Sequence, residues 1–233
     1  MKAKFKIFVL ILIMASIKTG LFATAQKPDI LILNDDEKKL YANPLQSLFF
    51  KNPELKQKFD DIGKKYVLMV STACWRGYVA KFKIIDSSLY IVDTTIEIAE
   101  NPDETKNFKP KTISIFSELF ETDKPVLCDS YSGMLIVPQG KMVSYVHGGY
   151  LSEYEKYILI KITDGKKINQ GEYSLQDYKE KKLKAFESFC KSAKYQDSWN
   201  KIKDSFIADI SEESKKEIMK TSEDFYLYDF FEF

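Results

Sequence analysis

The chain has one histidine, His147, and one arginine, Arg76, against thirty-four lysines. One histidine and three cysteines, with no C-x-x-C pair, cannot supply a standard structural zinc site. No metal and no cofactor is expected. No G-x-S-x-G segment occurs, so the nucleophile elbow of the α/β-hydrolases is missing. The acidic cluster Asn34-Asp35-Asp36 is not followed by a twelve-residue calcium loop and reads as a solvated turn. Glycine is scarce at nine, and 45% of residues are hydrophobic, which argues against disorder. A net charge of +1 favours neither nucleic acid nor a strongly acidic partner.

Long apolar runs are also absent. The one at the N-terminus, Ile7 to Ile17, ends at Lys18 after eleven residues, short of the roughly twenty that a spanning helix needs. Lys2, Lys4 and Lys6 precede it, and Ala23-Thr24-Ala25 follows before Gln26. A basic start, a short apolar region and a small-x-small site make a secretory signal peptide over residues 1–25, with a retained anchor as the rival reading. No cysteine follows the apolar region to direct lipidation. The leader carries four lysines and no acid, so its removal takes the net charge from +1 to −3. A periplasmic or secreted location is expected, with no stable membrane span after cleavage.

In an oxidising compartment three cysteines suggest one bridge and one thiol. Cys74 and Cys128 both flank β-type segments and are the favoured pair, and Cys190 lies in a helical pattern. Three buried free thiols are the alternative.

The clearest local pattern is the hairpin around Cys74 to Ile85 and Leu89 to Ile98. With Asp86-Ser87-Ser88 as its loop, Tyr78, Ala80, Phe82 and Ile84 share a face opposite Ile96, Thr94, Val92 and Tyr90. Asp29 to Leu33 reads as a strand, and Pro44 and Pro53 each open a short helix, the second capped by Gly63. Asn101 to Lys111 reads as an exposed loop and Ile113 to Phe120 as a brief helix. Val126 to Cys128, Met134 to Val137, Met142 to His147 and Tyr157 to Thr163 read as strands. Pro138-Gln139-Gly140 and Asp164-Gly165 supply turns between them.

After Gly171 the period changes. Leu175, Tyr178, Phe186, Phe189 and Ala193 form a helical stripe interrupted by Lys182, and Trp199, Ile202, Phe206 and Ile210 form a second. Both helices are expected to pack on the sheet. The aromatic tail Phe225 to Phe233 resembles the last strand of an outer-membrane barrel. The chain lacks the other strands of such a barrel, so the tail is expected to dock on its own domain.

Arg76 sits at the end of the hairpin's apolar face, between Trp75 and Tyr78. Its planar fork suits either a structural carboxylate (Asp129, Glu97 or Glu118) or an anionic ligand. His147 precedes Gly148-Gly149 and has two readings: a strand-end histidine bonded to backbone, or a general base. As a base it would serve Ser130 or Ser132 as nucleophile, with Asp129 orienting it. Trp75, Tyr78, Tyr131, Tyr145, Tyr150, Tyr154 and Tyr157 could floor a carbohydrate or peptide groove or fill a core.

Three segments taken together resemble a family of uncharacterised bacterial proteins over residues 30 to 165. They are Ser71 to Ala80 (STACWRGYVA), Tyr131-Ser132-Gly133 with Pro138-Gln139-Gly140, and Tyr145-Val146-His147 through Tyr150 with Tyr154-Glu155. Ser130 stands where an aromatic is usual in that family. Gly148-Gly149 and Leu151 replace Met-Gly and Gly. The resemblance implies no substrate. It implies that Trp75-Arg76-Gly77, Asp129 to Gly133 and His147 to Tyr150 converge.

The expected fold is α+β: residues 26–172 form a mainly antiparallel sheet, a curled sandwich or partial barrel with short helices. Residues 173–233 add two amphipathic helices and the tail. Two functions are open. One is a non-catalytic binding protein for an unknown small ligand or protein partner, using Trp75, Arg76, Tyr78, Tyr131 and Tyr150. The other is a hydrolase built on His147, Asp129 and Ser130 or Ser132.

Overall fold

The computed structural model describes residues 24–99, 110–203 and 210–233. The leader as far as residue 23, most of the polar stretch from Asn101 to Lys111, and Phe206 lie outside the described residues.

The fold is α+β, with a nine-stranded sheet of mostly antiparallel strands. Its main path runs β2 (Asp36–Leu40), β1 (Asp29–Leu33), β3 (Val79–Ile85), β4 (Ser88–Ala99), β9 (Lys166–Ser174), β8 (Glu153–Thr163) and β7 (Gly133–Ser144). β5 (Pro110–Ser114) and β6 (Val126–Leu127) pair with β4 off that path. Only β1 and β3 pair in parallel among the described strands. β4 meets β9 at a single pair, Ser88 with Lys166, so the sheet is two lobes joined at a narrow neck. Its free edges curl back toward each other, and just past β2 the Tyr41 amide donates to the Ile136 carbonyl at 2.8 Å. No ladder forms there, and the sheet does not close into a barrel.

The central hairpin forms with an altered register. Val79, Ala80 and Lys81 face Thr95, Thr94 and Asp93 as the alternation predicts. A bulge then shifts Phe82 onto Ile91 and Ile85 onto Ser88. The cause is the turn, which has two residues rather than three: Asp86 and Ser87 both take positive φ, 47° and 62°. That geometry matches the right-handed twist of paired strands. The inner face of β4 is therefore Leu89, Ile91, Thr94 and Ile96, all fully or almost fully buried.

Pro138-Gln139-Gly140 makes no turn, because β7 continues through it. Gly140, at φ +76°, absorbs a register shift against β8, and the Glu155 side chain occupies the space a β-carbon there would need. Gly63 lies inside α2 (Pro53–Lys65) rather than capping it. A proline opens both α1 (Pro44–Lys51) and α2, as expected. The segment read as one helix from Ile113 divides into β5 and α3 (Phe116–Phe120).

β7 separates two cores. Leu135 and Val137 face the interior of the curled sheet, with Tyr78, Phe82, Ile160 and Ile162. Met134 and Ile136 face outward, against the C-terminal helices. A strand buried on both faces shows no alternation, which is why Met134 to Val137 reads as a continuous apolar run.

Those helices are α4 (Leu175–Cys190), α5 (Ala193–Ile202), α6 (Glu212–Thr221) and the short α7 (Leu227–Phe230). The Ser174 hydroxyl caps α4 by accepting from the Asp177 amide at 3.1 Å. Phe186, Phe189, Met219, Tyr226, Leu227 and Phe231 bury with Leu159 and Tyr157 of β8, so α4 and the tail dock on the sheet, while α5, the second stripe, packs on α4. Among the described residues no helix is long and apolar enough to cross a membrane.

The three cysteines are unpaired, which corrects the expected Cys74–Cys128 bridge. Cys74 precedes β3, whereas the Cys128 amide bonds to Leu89 at the far end of the same hairpin. A disulfide needs α-carbons within about 7 Å, and the length of β3 lies between these two. Burial pushes the Cys128 thiol up to about 12.

Candidate functional site

Arg76 is buried, with 7% of its surface exposed. Its carboxylate partner is Asp29 of β1, at 3.1 Å. None of the three acids expected for it is used: Glu97 pairs with Lys27, Glu118 with Lys65, and Asp129 lies exposed in a turn. Nη2 donates to Asp29 Oδ1 and, at 3.0 Å, to the Lys27 carbonyl. Nη1 donates to Asn43 Oδ1 and the Tyr150 hydroxyl, both at 2.6 Å. The guanidinium also lies over the Tyr78 ring, 5.3 Å from its centroid. The Ala80 amide donates to Asp29 Oδ1 at 2.9 Å, which ties the pair to the β1–β3 ladder. Asp29 Oδ2 and Arg76 Nε are buried without a partner.

Burial disfavours the charge on both groups, and each answers differently. Desolvation outweighs the attraction of Arg76 and raises Asp29 to about 6. Desolvation also works against the Arg76 charge, but Asp29 and the surrounding phenols hold its pKa above the usual value. The fork joins four acceptors on three segments, so Arg76 is a structural tie. An ammonium is a single point and cannot span that set. Arg76→Lys is therefore expected to cost about 1–3 kcal/mol although the charge is kept, and urea denaturation would measure it. An unchanged midpoint would remove the tie from the account.

Behind Arg76 the chain opens into a cavity of about 1020 Å³. It lies between β7–β8, the segment 145–152, and helices α4 and α6. Tyr150, held by Arg76 and Asn43, stacks on Tyr41 with centroids 4.7 Å apart and planes at 9°. Burial pushes the Tyr150 phenol up to about 12, so it stays a proton donor at neutral pH. Across the cavity Tyr157 packs on Tyr178, 4.4 Å between centroids. Ile136, Val146, Leu175 and Ile218 complete an apolar wall. The charged groups are Glu153, Lys179, Lys182, Glu213, Glu217, Glu223 and Asp224.

The sequence-predicted residues scatter about this space. Tyr150 and His147 line it. Tyr78 and Tyr131 are buried in the inner core, and Tyr78 meets Phe49 and Phe59 edge to face. Trp75 lies on the surface, 39% exposed. Asp129, Ser130 and Ser132 sit at the opposite end of β7 from His147. Ser132 accepts from the Asp164 amide in the β8–β9 turn, and the Ser130 carbonyl accepts from Lys51. At about 3.3 Å per residue, β7 measures roughly 40 Å along its length between Ser132 and His147. The hydrolase constellation does not assemble, because an entire strand lies between its base and its nucleophiles. The convergence implied by the resemblance holds for Arg76 with Tyr150 and fails for Asp129 to Gly133. The His147 ring accepts or donates at Nδ1 to the Tyr145 hydroxyl at 2.8 Å. Ser152, which lines the same cavity, exchanges hydrogen bonds with the Val146 backbone.

Several lining residues escaped the sequence reading: Tyr41, Asn43, Glu153, Lys179, Glu223 and Asp224. One signal did exist. Lys182 interrupts the apolar stripe of α4, and there it pairs with Glu223 at the cavity wall. No group of three or more metal-binding side chains occurs among the described residues.

No family model, no curated protein and no solved structure matches the chain. The site stands on its own geometry.

Proposed function

We propose that this is an exported, non-catalytic binding protein that holds a small organic ligand in the tyrosine-walled cavity between its sheet and its C-terminal helices. The observation that carries this reading is the cavity, about 1020 Å³, largely apolar, with Tyr150 fixed in its wall by a buried Arg76 network. Preformed concave sites of this size with aromatic walls are the usual form of small-molecule sites. Export is supported by the leader sequence, and a binding role by the separation of His147 from Ser130, Ser132 and Asp129. The ligand site differs from the surface expected first. Trp75, Tyr78 and Tyr131 have no part in it, and Arg76 acts only by holding Tyr150 and Asn43.

Val146→Trp tests the reading, since it sets an indole into the cavity from its wall while leaving the backbone bonds to Ser152 in place. A small-molecule thermal-shift screen should yield compounds that stabilise the wild type by mass action and leave the variant unmoved. Hits that shift both proteins equally would place binding elsewhere and overturn the proposal.

A further inference from the structure

The charges lining the cavity do not balance. Lys179 pairs with Glu153 at 2.6 Å, and Lys182 pairs with Glu223, which also accepts from the Tyr178 hydroxyl at 3.2 Å. Both lysines of the lining are thus engaged. Glu213, Glu217 and Asp224 form no ion pair and no side-chain hydrogen bond among the described residues. The cavity is therefore walled by tyrosine rings and rimmed by solvent-open carboxylates that hold no ion pair.

We propose that the ligand is an organic cation: an ammonium group on an apolar, ring-bearing body. This rests on the cavity being the binding site. The tyrosine faces carry negative quadrupole potential and attract a cation, while the same rings bury its apolar part. Asp224 supplies the counter-charge. It faces the cavity with its surface open, yet protein packs closely around it. That desolvation, and then the adjacent Glu223 carboxylate, raise its pKa above the usual range. A bound ammonium relieves that repulsion. An anion would meet three carboxylates and no uncommitted lysine, so the anionic ligand first considered for Arg76 does not suit this space.

Three probes with one body separate charge from apolar fit: 4-phenylbutylamine, 4-phenylbutanol and 4-phenylbutyrate, each titrated calorimetrically into the wild type, Val146→Trp and Asp224→Asn. The amine should bind about tenfold or more tighter than the alcohol, with the carboxylate weakest. Asp224→Asn should remove most of the amine's advantage and leave the alcohol unchanged. Because the Asp224 carboxyl holds no hydrogen bond, the variant should fold with an unchanged or higher melting temperature. Equal binding of all three, abolished by Val146→Trp, would overturn the cation while the cavity reading stands. Tightest binding by the carboxylate would do the same. If no probe binds, or Val146→Trp binds like the wild type, the cavity reading falls and the cation with it.

Discussion

Arg76→Met should lower the unfolding free energy by about 3–5 kcal/mol at pH 8, and the part of that loss due to the stranded Asp29 charge should vanish at pH 5. The substitution leaves Asp29, which is 0% exposed, as a buried carboxylate with no counter-charge. Its cheapest escape is to bind a proton. Asp29 already titrates at about 6 with Arg76 beside it, above the ordinary carboxylate value. A pKa raised in the folded state means that the group's contribution is present at low pH and lost as pH rises through the folded pKa. In the wild type that loss falls between about pH 4 and pH 6, and stability from this group is greater at the acid end. Without Arg76 the folded pKa climbs further, so the variant keeps losing stability where the wild type has levelled off. The two curves should separate between pH 6 and pH 8. Asp29→Asn added to Arg76→Met removes the charge but keeps an acceptor for the Ala80 amide, and should restore much of the loss at pH 8. Urea denaturation of the three proteins across that range measures it. A deficit independent of pH would show that Asp29 is not the group left stranded.

Phe189→Ala should cost about 3–5 kcal/mol and abolish ligand binding, although Phe189 touches no ligand. Phe189 is fully buried in the outer core, ringed by Phe186, Tyr195, Tyr226 and Phe230. It holds α4, which carries Tyr178, Lys179 and Lys182 into the cavity wall, against the tail. The inner core shares no residue with this cluster. The damage should therefore concentrate in the helices. Trp199 packs against the outer core and Trp75 lies in the β lobe, so single-tryptophan variants report the two regions separately. The Trp199 transition should move more than the Trp75 transition. Equal shifts would mean that the two cores unfold as one unit.

What the sequence disclosed follows the range of the forces involved. Alternation placed the faces of the hairpin correctly near Val79, because side-chain direction along a strand is a local property. It misplaced the register near the turn, because Asp86 and Ser87 adopt positive φ without the Asn-Gly signature that announces such a turn. β2 went unread because Asp36-Glu37-Lys38-Lys39 is a charged, mostly exposed edge strand with no apolar pattern. The partner of Arg76 was beyond local reading. Asp29 lies 47 residues upstream and arrives only through the parallel pairing of β1 with β3. The cavity has the same origin, since its walls come from segments more than a hundred residues apart, Tyr41 and Tyr150 being one such pair. Lys182, out of place on an apolar stripe, was the single local trace of it.

Amide chemical-shift mapping by NMR with 4-phenylbutylamine tests the central claim most directly, because it locates the binding without presupposing a residue. Shifts should concentrate at Val146 to Ser152, at Leu175 to Lys182 and around Asp224, segments that enclose the cavity. Shifts gathered instead around Trp75 or the Asp129 to Ser132 turn, with the cavity segments silent, would contradict it.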